Sequence, residues 1–97
     1  MQQARAREIA VEALVWLCGQ EDLLPVFLGA SGADAVVLHA ALAATEGPDP
    51  ALSGAVLDFV MMQDATVIDC AHALGLPPGQ LALAQAMLSG QGQMHWT

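Results

Sequence analysis

Residues 75–81 read Gly75-Leu76-Pro77-Pro78-Gly79-Gln80-Leu81, and an earlier stretch, Gly32-Ala33-Asp34, is followed by Leu38 at the same offset from its glycine. Glycine tolerates the left-handed position just past a helix, while Asp and Pro suit the start of the next one. Each stretch therefore reads as a helix ending on glycine, a tight turn and a new helix about three residues later. The fold class that follows is all-α, a compact bundle of five to six short helices built from two helix-Gly-turn-helix hairpins.

Working outward, residues 3–18 place Ile9, Ala10, Ala13, Leu14, Trp16 and Leu17 three and four apart, with Glu8 and Glu12 on another face, which predicts an amphipathic helix ending near Gly19. Asp22 is the expected cap of a second helix carrying Leu24, Phe27 and Leu28, with Pro25 in its first turn. Asp34 caps a third through Val37, Leu38, Ala41 and Leu42. Glu46-Gly47-Pro48-Asp49-Pro50 reads as a loop whose last two residues are an N-cap and an N1 proline. A fourth helix with Leu52, Val56, Leu57, Phe59 and Val60 stops near Gln63, Asp64 caps a fifth through Val67, Ile68, Ala71 and Leu74, and a sixth carries Leu81, Ala84, Met87 and Leu88. Nothing alternates with a period of two for long enough to make a strand. The predicted core is Leu14, Leu17, Leu24, Phe27, Leu28, Leu38, Leu57, Val60, Val67, Ala71, Leu74 and Leu81. One domain is expected over residues 1–88, with a loose Gly- and Gln-rich tail at 89–97.

Of the 97 residues 56% are apolar and only 12% charged, against a usual charged share of about a quarter. Polar cover is thin for so small a sphere, so part of the apolar surface is expected to be hidden against another molecule, either a protein partner or a second copy in a homo-oligomer. The net charge of −8 sets ten carboxylates against two arginines, Arg5 and Arg7, and lysine is absent. That field repels nucleic acid and anionic lipid, so neither is an expected partner. Cys18 and Cys70 fall in helical apolar patterns, where a thiol packs as a small hydrophobe, consistent with a reducing cytoplasmic compartment. Glu8 and Glu12 interrupt the only stretch that imitates a signal peptide, and no apolar run reaches the roughly twenty residues of a membrane span.

Chemistry-bearing residues are sparse. Val67 to Ala84 matches the spacing of a helix-turn-helix through Ala71, Leu74, Gly75, Leu76, Leu81 and Ala84. It resembles that motif of bacterial regulators, and a DNA-binding regulator is the rival reading. Its second helix, however, offers Pro78, Gly79, Ala82, Leu83 and Ala86 toward a groove, with only Gln80 and Gln85 able to read a base and no cation nearby. The first hairpin meets the same spacing in part through Phe27, Gly32, Leu38 and Ala41, so the spacing is read as helix packing at a glycine turn. Asp69 and His72 share a helix face and make a second rival, a small metal- or ligand-binding protein, in which His39 would have to converge on them. Cys70 and His72 stand two apart, which points them in different directions on a helix. No catalytic residue, cofactor or metal is expected. Asp58 is the odd carboxylate, set inside the apolar run Ala55-Val56-Leu57-Asp58-Phe59-Val60. For a contact surface the sequence offers Trp16, Met61, Met62 and Trp96, with one of the paired methionines expected inside and one outside.

Glu12-Ala13-Leu14 with Trp16-Leu17, then Asp22, Phe27-Leu28, Ser31-Gly32, Ala55-Val56-Leu57-Asp58-Phe59, Asp64 and Gly75-Leu76-Pro77, taken in order and spacing, resemble a family of short alphaproteobacterial proteins known as a domain of unknown function. The resemblance covers about residues 8–88. It implies an all-helical fold and a cytoplasmic location, and brings no activity with it.

Overall fold

The computed structural model describes residues 2–44 and 50–93, in which six helices follow in chain order: α1 (Gln3–Cys18), α2 (Leu24–Ser31), α3 (Ala35–Ala43), α4 (Pro50–Met61), α5 (Asp64–Leu74) and α6 (Pro78–Gln93). Among the described residues no strand is present, and Gly32 and Gly75 are the residues with positive φ, at 76° and 69°. Both end a helix where the sequence predicts it, in two different ways. Gly32 N–H donates to Leu28 O alone, a single left-handed cap. At Gly75 a Schellman pair forms, with Gly75 N–H donating to His72 O and Leu76 N–H to Ala71 O at 2.9 Å.

The helices α1, α4 and α6 pack against one another, and α5 leans on all three. On α1 the buried positions are Ala6, Ile9, Ala10, Ala13, Leu14 and Leu17, which adds Ala6 to the stripe read from its periodicity and leaves Trp16 half-buried beside it. They meet Val56, Leu57 and Val60 of α4, Val67, Cys70 and Ala71 of α5, and Leu81, Ala84 and Leu88 of α6. Alanine at four of the α1 and α6 positions lets backbones approach closely, while each buried Leu or Val contributes about 1.5–3 kcal/mol of apolar transfer. The first hairpin is held differently. Its helix α2 packs on α4, and α2 and α3 each bury one residue fully, Phe27 and Leu38.

The predicted core is thus correct at nine positions, while Leu24, Leu28 and Leu74 are half-buried and pack on its margin. Ile68, read as part of the α5 stripe, is 58% exposed, because that stripe is wider than the surface covering it. Of the predicted caps Asp34 holds, its Oδ1 accepting from Val37 N–H at 2.8 Å. Asp22 does not cap α2: the chain already turns helically through Leu23 (φ −88°, ψ −34°), and Leu24 N–H donates to Gln20 O, which leaves no extended cap position. Asp64 is likewise the first residue of α5 and not its cap, that place belonging to extended Gln63. Its charge sits favourably at the positive end of the helix dipole. Asp49 lies outside the described residues. Helix α6 continues to Gln93, past the predicted start of a tail at residue 89, and residues 94–97 lie outside the described region. Among the described residues no single helix is long and apolar enough to cross a membrane. The apolar pairs α2/α3 and α4/α5 bend by 94° and 115° at their breaks.

Candidate interaction surface

The corner between α4 and α5 sets a large, highly exposed apolar side chain, Met62, beside half-buried Phe59. Met62 N–H donates to Phe59 O as α4 closes, Gln63 is extended, and the sharp change of direction leaves the Met62 side chain 75% exposed. Met61, one residue earlier, is half-buried and packs against the core, less enclosed than the buried member expected of the pair.

Two shallow grooves adjoin at this corner and share Phe59 and Met62. One, of about 210 Å³, runs between α2 and α4 and is lined by Phe27, Ala30, Ala55, Phe59 and Met62, with Ser31 and Asp58 at its polar edge. The other, of about 190 Å³, is lined by Leu23, Val26, Phe59, Met62, Gln63 and Thr66. Val26 is exposed. Asp58 is an exposed residue whose Oδ1 accepts from Gln85 Nε2 at 3.0 Å, tying α4 to α6 across the surface.

Trp16 does not join this surface. It is half-buried and lines a separate, more open groove between α1 and α5 with Val11, Glu12, Val15, Ala73 and Leu74. Trp96 lies outside the described residues. The residues that sequence reading missed as surface are Phe59, assigned to the apolar stripe of α4, and Val26. A signal for them existed: α2 and α3 are short and apolar on nearly every side, so a single packing partner cannot cover them. On α3 Leu38 alone is fully buried, and Val36 is 75% exposed.

The other candidates separate in space. Helices α5 and α6 form the predicted hairpin, and the outward side of α6 presents Pro78, Gly79, Ala82, Leu83 and Ala86, none of which has a side-chain donor for a base edge or phosphate. Gln85, one of the two residues able to read a base, is engaged by Asp58. Arg5 lies on α1, where its Nη1 is 3.4 Å from Glu12 Oε2. Asp69 and His72 are both exposed on α5, His39 is exposed on α3, and among the described residues no three His, Cys, Asp or Glu side chains converge on a metal-sized site. Cys70 is buried while His72 faces solvent, so the two do not meet. Burial pushes the Cys70 thiol up to about 11 and raises Cys18 as well, the opposite of the lowered value that an activated thiol needs.

No curated protein and no solved structure matches this chain. A family model does, and it extends from α1 into α6 across both glycine hairpins: residues 3–91 match the family described as a protein of unknown function (DUF3572), and the chain belongs to that family.

Proposed function

We propose that this chain is a non-catalytic protein–protein interaction module that works through the apolar corner formed by α2, α4 and the start of α5. The observation that carries this reading is Met62, 75% exposed and shared with Phe59 by two adjoining apolar grooves. A flexible thioether beside a half-buried aromatic ring gives a surface that adapts to an incoming side chain. An aromatic anchor of this kind is where binding energy concentrates in protein interfaces. The thin polar cover of the sequence supports the same reading. A cytoplasmic setting suits two free cysteines. Either a different protein or a second copy satisfies this function.

The test compares affinity capture from the native lysate by the unaltered chain and by a Met62→Gln variant, alongside light scattering of both. A stoichiometric partner, or a dimer, that is present with the unaltered chain and lost with Met62→Gln supports the proposal. If neither a partner nor a dimer depends on Met62, the corner is not an interaction surface.

A further inference from the structure

Resting on the interaction reading above, we infer that the partner of the Met62 corner is a basic amphipathic helix, its apolar side seated over Phe59 and Met62 and its lysines or arginines over an acidic rim. The two grooves share a wall, so they receive neighbouring side chains of one partner element. A helix presents such pairs at i and i+3 or i+4, and helix-in-groove recognition uses them as anchors.

The charges around the grooves choose the other face of that helix. Glu21 and Asp22 directly precede Leu23, a lining residue, and Asp64 directly follows Gln63, another. Asp58 is itself at the edge of the first groove. All four carboxylates belong to exposed residues. Both arginines of the chain, Arg5 and Arg7, stand on α1, and α2, α4 and α5 hold none. An apolar floor flanked in the chain by the exposed carboxylates Glu21, Asp22 and Asp64 is complementary to an apolar stripe flanked by cations. A second copy fits poorly, because a two-fold interface through this corner would set the rim of one chain, with its net charge of −8, against the same rim of the other.

The probe is a labelled leucine–lysine amphipathic peptide titrated with the full chain. A leucine–glutamate peptide of the same pattern and a scrambled leucine–lysine peptide serve as comparisons. Only the patterned leucine–lysine peptide is expected to bind. Met62→Gln, which alters no charge and sits on an exposed side chain, should weaken it about tenfold, the loss of one well-covered apolar anchor. Asp22→Asn combined with Asp64→Asn should weaken it several-fold at low salt and flatten the salt dependence. A thermal melt of each variant confirms that it is folded.

Equal binding of the scrambled or the acidic peptide overturns the inference, as does an affinity indifferent to Met62. Should a lysate partner depend on Met62 while the leucine–lysine peptide does not, the basic helix is wrong and the interaction reading stands. A dimer that Met62→Gln dissolves identifies a second copy as the occupant and also overturns the basic helix. If peptide, lysate partner and dimer are all indifferent to Met62, both readings fail together.

Discussion

The ring of Phe27 on α2 meets the ring of Phe59 on α4 edge-on, with centroids 5.4 Å apart and planes inclined by 66°. This pair joins the first hairpin to the bundle, since α2 packs on α4 and Phe27 is its one fully buried residue. Edge-to-face pairs are worth about 0.5–1.5 kcal/mol beyond the area they bury. Phe27→Ala removes that term and the packing beneath it, and should cost about 3–5 kcal/mol in thermal or denaturant unfolding. A loss below 1 kcal/mol would mean that the hairpin is not coupled to the bundle through this ring.

Because the hairpin hangs on so few buried side chains, it should open before the rest. Amide hydrogen exchange is expected to be faster throughout α2 and α3 than at the buried positions of α1 and α4. Phe27→Ala should accelerate exchange in α2 and α3 while leaving α1 and α6 close to the unaltered chain at low denaturant. Uniform protection across all six helices would show a single cooperative unit instead.

The glycines divide into two groups with opposite expected signs. At Gly75, with φ at 69°, any added Cβ is strained by the left-handed backbone, so Gly75→Ala should destabilise by about 1–2 kcal/mol. Gly54 lies inside α4 with open space where a Cβ would stand, so Gly54→Ala should stabilise by about 0.5–1 kcal/mol through helix propensity. A melting temperature of Gly75→Ala at or above that of the unaltered chain would contradict the assignment of Gly75 as an obligatory left-handed cap, and a lowered one for Gly54→Ala would contradict the open space read at Gly54.

Both glycine turns were legible because they depend on local backbone preference, which one sequence records directly. The α1 stripe was legible for a similar reason: one face of a sixteen-residue helix must satisfy a single periodicity. Asp22 and Asp64 were each misplaced by one position because a capping residue is fixed by the dihedral angles of its neighbours, and here the backbone was already helical at Leu23 and extended at Gln63. Ile68 shows the larger limit. Its place on an apolar stripe is written in the sequence, but which part of that stripe gains a partner depends on how α5 tilts against three other helices. The Met62 corner falls between these cases, with the unequal burial of Met61 and Met62 foreseeable from helix geometry and the pairing of Phe59 with Phe27 visible only once α2 is docked on α4.

Burial raises the Cys70 thiol from 9.0 to about 11. A thiol whose folded value lies above its unfolded one favours the folded state at low pH, where both forms are neutral. That contribution is retained below the unfolded value and lost as pH rises toward 11, because the unfolded chain ionises first. Stability should therefore fall between about pH 9 and 11 in the unaltered chain and fall less in Cys70→Ala, measured as the slope of unfolding free energy against pH. In the native state at pH 8, a thiol reagent should modify half-buried Cys18 before Cys70. Rapid native labelling of Cys70 would show that the core at α5 opens far more often than its packing implies.

The spacing from Val67 to Ala84 makes nucleic-acid binding the sharpest rival, and its failure should be electrostatic. A helix placed in a groove must hold phosphates with cations, and each neutralised phosphate adds a counterion-release contribution that grows as salt is lowered. The α5–α6 hairpin contains no Lys or Arg, its outward side is apolar, and Gln85 is held by Asp58. A mobility-shift titration at low salt should leave duplex DNA unshifted. Arginines placed by substitution at exposed Ala82 and Ala86 should produce weak, salt-sensitive and sequence-indifferent retention if the hairpin has the right shape and lacks only charge. A shift with the unaltered chain that persists as salt is raised would mean that contacts other than phosphate pairing carry the binding, and the acidic balance of the chain would no longer argue against a regulatory role.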